Sequence, residues 1–579
     1  MISCLKHDRG KNFQNVFRCI LLTCLCSILI RNIYSILMIS PDDIRFQNIL
    51  SGTYTGTPES HCYFIQYPLS AIFSWLYKIN NQVDWYEDTL WLLVFLCLYY
   101  ILRKGDYLST EKQRVYLFGV LLIWGTSFVR CSVALEWTTI AGLLAATAIY
   151  LYMTMPVVAD DKWIDYFVCL MLVCMAFCLR KTVIWMYVPL AGMLWFQRFV
   201  ELKEKQNKKN NIHNTCFLIV CIIMLLIIMV IHFYAYRDED WKMYNDYTKD
   251  RSTIVDYNGY PDYYEYEDIY KDAGISFEAY DLMRKDYNYV FTLSPNIDLK
   301  EIAELSEKIN KADLHEKIVE AFSLMKKAYL RKELFGYCVI FIILFLMNLC
   351  MLPNMSWNKE LGIIGTVIWM FAMSFMLALY GRFPYRVAVA IEMGGIATMG
   401  GTLFTELTDV KNTERRISWL ILCFYSIIVG QMSWNLLQLY KDNVNQIITA
   451  QARKEIDEYC SSHSENIYIQ DFYSFSQYAQ YFDIRNYEME SNLVSSGGWS
   501  YNSPLYYTKL QERGFSNIYD FIFNKQNVYY LVSDTRDDNV VQRMDAYFDS
   551  NNIGIRIKQN DEFICKTGKV VVYQFVVEE

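Results

Sequence analysis

Residues 15–43 read NVFRCILLTCLCSILIRNIYSILMISPDD. The run 15–39 is apolar over a length that can cross a bilayer, since roughly 20 helical residues span about 30 Å of hydrocarbon. It is too long for the apolar region of a secretory signal, about 7–15 residues. No small-residue cleavage site precedes Pro41, so the run reads as a retained signal-anchor. Ser40-Pro41-Asp42-Asp43 then lies at its outer mouth. Locally this is a helix start, with Ser40 as N-cap, Pro41 at the first helical position and two acids in the first turn. A carboxylate held at a membrane surface can also act as a general base toward a hydroxyl, or bind a divalent metal. Asp42 and Asp43 are therefore the candidate catalytic pair.

Outward from this stretch the chain repeats the apolar pattern. Of its 579 residues 54% are hydrophobic, and they cluster in runs. Apolar runs at 16–39, 88–102, 115–129, 136–155, 163–179, 182–198, 215–235, 335–352, 361–380, 384–405 and 417–438 predict a mainly α, polytopic membrane protein with about eleven transmembrane helices. A net charge of −8 argues against a nucleic-acid partner. Most of the 17 cysteines fall inside the apolar runs, where they act as small hydrophobes. No CxxC or Cys/His metal spacing appears. Cys460 and Cys565 lie in the polar C-terminal region and are candidates for a disulfide, which spacing alone does not establish.

Lysine and arginine orient the spans, because basic loops stay cytoplasmic. Lys6, Arg9 and Lys11 place the N-terminus inside. Alternate crossing then puts Arg103, Lys104, Lys112 and Arg114 on that side, with Arg198, Lys203, Lys205, Lys208 and Lys209, and with Lys411, Arg415 and Arg416. The agreement requires that 64–78, FIQYPLSAIFSWLYK, does not cross, so it reads as a helix lying in the outer interface. The expected location is the plasma membrane, with the outer loops at 40–87 and 236–334 and the C-terminal region on the extracytoplasmic side. Two units result, a membrane unit over 1–439 and a soluble α/β domain over 440–579.

The 236–334 loop is acidic and dense in tyrosine at first. It then predicts helices over 277–290, 298–310 and 314–333, with Ser294-Pro295 marking a boundary. The C-terminal region predicts a helix over 440–459 and strands at 467–469, 528–532, 554–557, 563–565 and 570–575. Helices over 471–481, 504–523 and 537–549 lie between them. No glycine-rich phosphate-binding motif occurs, so no nucleotide is assigned.

Several outer turns carry cations where the charge rule disfavours them. Arg130 follows the third span, Arg180 and Lys181 join the fifth and sixth, and Arg382 and Arg386 flank the turn GRFPYR. Guanidinium groups can grip phosphate bidentately, although any single one can also snorkel to lipid headgroups. Asp238, Asp240, Arg251 and Asp256 are candidates on a lid formed by the tyrosine-rich loop. Arg31 is a charge inside the first span, within snorkelling range of the surface, and Glu136 and His232 are polar residues near outer helix ends.

Together the first-loop acid pair, the interfacial helix after it and the soluble outer C-terminal region resemble the GT-C class of glycosyltransferases. SPDDIRFQNILSGTYTGTPESHCYFIQYPLSAIFSWLYKINNQVDWY, RSTIVDYNGYP and GRFPYR resemble segments of bacterial multi-pass membrane proteins grouped with such enzymes. The resemblance implies transfer of a sugar from a polyprenyl-phosphate donor to a cell-envelope glycan or lipid acceptor. Arg130, Arg180, Lys181, Arg382 and Arg386 would hold the donor phosphate, and Asp42 or Asp43 would accept the proton. The alternatives are a transporter or flippase of lipid-linked glycans and a non-catalytic envelope-assembly protein.

Overall fold

The computed structural model describes residues 2–108, 110–155, 163–292, 299–309, 314–351, 355–409, 414–481, 491–525, 527–536 and 539–578. The chain begins with α1 (Ile2–Ile33), α2 (Pro41–Ser51), α3 (Tyr67–Ile79), α4 (Trp85–Lys104), α5 (Thr110–Val133), α6 (Trp137–Met153), α7 (Trp163–Leu179), α8 (Lys181–Glu204) and α9 (Lys208–Ala235). Shorter helices follow: α10 (Glu239–Ser252), α11 (Glu267–Asp272), α12 (Phe277–Asp286), α13 (Tyr289–Thr292), α14 (Lys300–Ile309) and α15 (Leu314–Tyr329). The long helices resume with α16 (Lys332–Met351), α17 (Trp357–Leu379), α18 (Tyr385–Asp409) and α19 (Glu414–Ser461). Ser294-Pro295 and Lys411 lie outside the described residues.

All eleven apolar runs fall on helices. Among the described residues seven helices are long and apolar enough to cross a membrane: α1, α4, α8, α9, α16, α17 and α18. The apolar helices α6 and α7 are shorter, at 17 residues each. The fold is a polytopic, mainly α membrane protein. The helix α3 has 13 residues, about 20 Å at 1.5 Å per residue, too short to cross. It buries Leu69, Phe73 and Tyr77 and exposes Ile72, Trp75 and Ile79, as a helix lying flat on the bundle does.

Two helices form the centre of the bundle. Every residue of α6 from Trp137 to Tyr152 is buried, as is α18 from Ala388 through Met399. A Cβ on Gly142 would stand 2.7 Å from that of Ala390, so the two helices meet through small residues. This close packing brings the start of α6 and the start of α18 to one end of the bundle. By contrast α9 is peripheral, with almost none of its apolar length covered by protein.

Beyond the membrane helices, α20 (Phe472–Phe475), α21 (Pro504–Gln511), α22 (Ile518–Lys525) and α23 (Val540–Ser550) accompany eight strands among the described residues. These are β1 (Leu37–Met38), β2 (Ala134–Leu135), β3 (Ile467–Gln470), β4 (Gln480–Tyr481), β5 (Leu493–Ser495), β6 (Val528–Ser533), β7 (Ile555–Cys565) and β8 (Gly568–Val577). The main sheet has the order β5-β3-β6-β8-β7, with β3 parallel to β5 and β6 and with β8 antiparallel to its neighbours. In the small sheet β1 pairs with β2 and with β4, tying the first loop to the C-terminal region.

Several boundaries differ from expectation. The first span ends at Ile33 because Leu37–Met38 is drawn into that small sheet. The run 417–438 and the helix 440–459 are one helix of 48 residues, α19. The strands expected at 554–557 and 563–565 are one strand, β7. The helix expected over 471–481 shrinks to four residues, since 480–481 joins β1 as β4. Cys460 and Cys565 are free thiols buried in one small cluster, without a disulfide.

The tyrosine-rich segment packs its rings on the C-terminal sheet. Ile254, Tyr270, Leu282 and Phe291 share a core with Ile469, Tyr530, Phe548 and Phe575. A buried ion network locks the joint. Asp286, at the end of α12, pairs with Arg536 and with Arg543 at 2.7 Å, and Arg536 also pairs with Asp471 after β3. Here Gly497 is required: a Cβ would stand 2.0 Å from the Tyr287 carbonyl oxygen.

Candidate active site

The helix α2 begins as its sequence implies. The Ser40 hydroxyl accepts the Asp42 N–H at 3.2 Å and Pro41 occupies the first turn. Successive helical residues point about 100° apart, so the adjacent acids diverge. Pro41, Asp42, Arg45 and Asn48 face a cavity of about 840 Å³ at one end of the bundle. Asp43, Phe46, Gln47 and Leu50 face the core.

Asp43 is fully buried. It accepts the Tyr86 hydroxyl at 2.6 Å and the Trp137 N–H at 3.2 Å, joining α2 to the starts of α4 and α6. Burial pushes its carboxyl well above the usual carboxylate range; the nearby Glu136 adds to the rise and the Tyr86 bond opposes it. Gln47 extends the same support, donating to Asp84 and accepting from Gln480.

Asp42 stays partly open, with its side chain 24% exposed. Arg386, in the first turn of α18, stands 3.7 Å from Asp42 and 3.7 Å from Glu136. Glu136 is the N-cap of α6 and accepts the Thr139 N–H at 2.9 Å. Both contacts of Arg386 exceed hydrogen-bond length, so its donors remain uncommitted to them. Burial raises the Asp42 carboxyl above its ordinary value, while Arg386 and then Arg180 pull it back.

Arg180 caps the turn between α7 and α8. Its guanidinium lies 4.1 Å from the Trp137 ring centre, and its buried Nε has no hydrogen-bond partner. Burial, with Arg386 nearby, lowers it to about 10. Such a cation gains from an anion brought to it. Lys181 lines the same wall. In the turn 381–384, Gly381 adopts φ +80° and Pro384 precedes α18, which sets Arg382 beside the cavity. Arg382 pairs with Asp256 at 3.2 Å, and Asp256 also stands 4.0 Å from Arg251.

Of the residues singled out from sequence, Asp42, Arg180, Lys181, Arg382, Arg386, Arg251 and Asp256 line one cavity. Asp43, Asp238 and Asp240 do not. Arg130 lines a separate recess of about 80 Å³ with Lys332, Glu333 and Asp442. Arg31 is exposed on the last turn of α1, away from the cavity. His232 lines the cavity, and its Nδ1 accepts the Tyr67 N–H at 3.1 Å. Sequence reasoning missed Arg45, Lys242, Lys249 and Arg453, all on the lining. A polar stripe at 242, 245, 249 and 252 was the available signal for the two lysines. No group of three or more His, Cys, Asp or Glu able to hold a metal stands among the described residues, so the divalent-metal option has no ligand set there.

Fold and cavity together define a polytopic membrane protein that holds a carboxylate among cations at one end of its helix bundle. No family model and no curated protein matches the chain. Among solved structures it is similar to ArnT from Cupriavidus metallidurans in the apo state, at 10% identity and a TM-score of 0.41, over 96% of this chain and 97% of that one. The same protein bound to undecaprenyl phosphate matches at 10% identity and a TM-score of 0.40, with the same coverage.

Proposed function

We propose that the chain is a membrane glycosyltransferase acting at the outer end of its bundle, moving a sugar from a polyprenyl-phosphate donor to a cell-envelope acceptor. One observation carries the reading: a partly open carboxylate, Asp42, shares a cavity with guanidinium groups from two other turns, Arg180 and Arg386, that make no side-chain hydrogen bond among the described residues. Cations so arranged suit a phosphate, and the carboxylate suits proton removal from a hydroxyl. The cavity wall supports a lipid-borne ligand. Met229 and Phe233, near the end of the peripheral α9, border it and are also exposed on the bundle surface.

In this mechanism Asp42 takes the proton from the acceptor hydroxyl as its oxygen bonds to the anomeric carbon. The bond from that carbon to the donor phosphate breaks, and the leaving phosphate keeps the electron pair. Arg180, Arg386, Arg382 and Lys181 stabilise its growing charge. Asp43 is a positioning residue, fixing α2 against the starts of α4 and α6. The cavity faces away from the cytoplasm in this reading. The test compares surface glycans and lipid-linked sugars in cells carrying the protein, its Asp42→Asn variant or neither. Accumulation of the lipid-linked sugar without transfer in the variant is expected. Identical glycans in all three would sink the assignment.

A further inference from the structure

The cavity is far more cationic than one phosphate requires, and the excess is ordered. On α10, Lys242, Asn245, Lys249 and Ser252 recur at intervals of three and four and all line the cavity. The opposite face is locked. Trp241 and Tyr244 are buried in a cluster with Tyr54, Tyr236 and Leu505, and the Tyr244 hydroxyl donates to the Trp499 carbonyl. The helix therefore cannot rotate its lysines away.

The side-chain ammonium of neither lysine has an ion pair or hydrogen bond among the described residues. The acids of the same helix do not lie on the cavity lining. Lys242 and Lys249 stand seven residues apart, about 10 Å along the axis. Arg251 lies on the buried face of the helix with Tyr244 and Thr248, where its Nε has no hydrogen-bond partner among the described residues and Asp256, also paired with Arg382, stands 4.0 Å away. The stripe thus lines the same cavity as the Arg382–Arg386 turn, from a different element.

We propose that this stripe binds a second anion of phosphate class, held by Lys242 and Lys249, while Arg180 and Arg386 hold the first. The proposal rests on the glycosyltransferase reading for its roles, but the site itself is a matter of binding. Two sources fit one chemistry: the second phosphate of a lipid diphosphate donor, or a phosphorylated acceptor.

The test uses the full chain in nanodiscs of neutral lipid, which contribute no anionic headgroups. Binding is measured for polyprenyl monophosphate, polyprenyl diphosphate and, on protein already saturated with the monophosphate, glucose 1-phosphate. Lys242→Gln/Lys249→Gln is expected to weaken the second anion about tenfold or more while holding the monophosphate within about twofold, as loss of charge-assisted contacts predicts. Sensitivity confined to the diphosphate places the second anion on the donor. Sensitivity of glucose 1-phosphate places it on the acceptor.

Equal weakening of all three probes, or no change in any, overturns the second site. Lys242→Arg/Lys249→Arg keeps the charge and should restore binding; failure to restore would make the stripe structural. If sugar transfer proves absent while lysine-dependent anion binding persists, the enzymatic reading falls and the site stands. If Asp42→Asn abolishes transfer but the lysines affect no probe, the reverse holds.

Discussion

Two cationic turns at the same end of the bundle have different fates. The 381–386 turn delivers Arg386 to Asp42 and Glu136 across a cavity of about 840 Å³. The end of α5 delivers Arg130 into a recess of about 80 Å³ beside Glu333 and Asp442. In sequence the two look alike, an arginine at the end of an apolar run. The difference lies in the helix behind each. Arg386 begins α18, which with α6 forms the buried centre, and the starts of both helices converge on α2. Arg130 ends α5, on another side, facing α16 and α19. Charge near a helix end marks a candidate, and position relative to the central helix pair decides which candidate reaches Asp42 and the larger cavity.

Mutations can break or sharpen this contrast. The largest effect is expected for Asp42→Asn, which should lower sugar transfer about 10²- to 10⁴-fold with normal membrane insertion, the range for loss of a general base. Transfer assayed in membranes with a lipid-linked donor checks it, and retained activity would remove Asp42 from the chemistry. Arg386→Gln comes next, with a loss of about 10²- to 10³-fold as for a removed oxyanion donor. Arg130→Gln should stay within about twofold, as for substitutions outside a packed or catalytic site. Equal losses in the two arginine variants would erase the distinction drawn above.

Gly497→Ala tests the wall opposite the arginines. The new methyl would run into the Tyr287 carbonyl, so thermal unfolding should fall by about 1–3 kcal/mol, an overpacking cost. Gly400→Ala, whose nearest neighbour would be 3.8 Å away, should be close to neutral. The smallest expected effect is a shift in pH dependence. Burial raises the Asp42 carboxyl and Arg386 holds it down. A base works ionised, so the rate should fall as pH drops through that raised value, above the usual carboxylate value of about 4. Arg386→Gln removes the restraining charge and should move this acid limb upward, whereas Arg386→Lys should leave it nearer the parent. A pH–rate profile of each variant's residual activity decides the sign.

The membrane layout was legible because a bilayer forces long apolar runs, and each run became a helix. The meeting of Asp42 with Arg180, Arg382 and Arg386 was legible through shared sidedness. What sequence could not resolve was rotation. Asp42 and Asp43 satisfy the same helix-start pattern, and only the packing of Phe46, Gln47 and Leu50 turns one acid inward and leaves the other at the cavity. On α10 the same limit applied. Asp238 and Asp240 were read as lid residues, yet burial of Trp241 and Tyr244 turns Lys242 and Lys249 to the cavity instead. The small sheet of β1, β2 and β4 was invisible because each strand has two residues and its partners lie far apart in sequence, Leu37 pairing with Ala134 and with Tyr481.

The unbroken α19 has a mechanical consequence. At about 1.5 Å per residue its 48 residues make a rod of roughly 72 Å, and it contains no proline. Such a strut carries the C-terminal sheet without a hinge, so that sheet cannot swing aside on its own stalk.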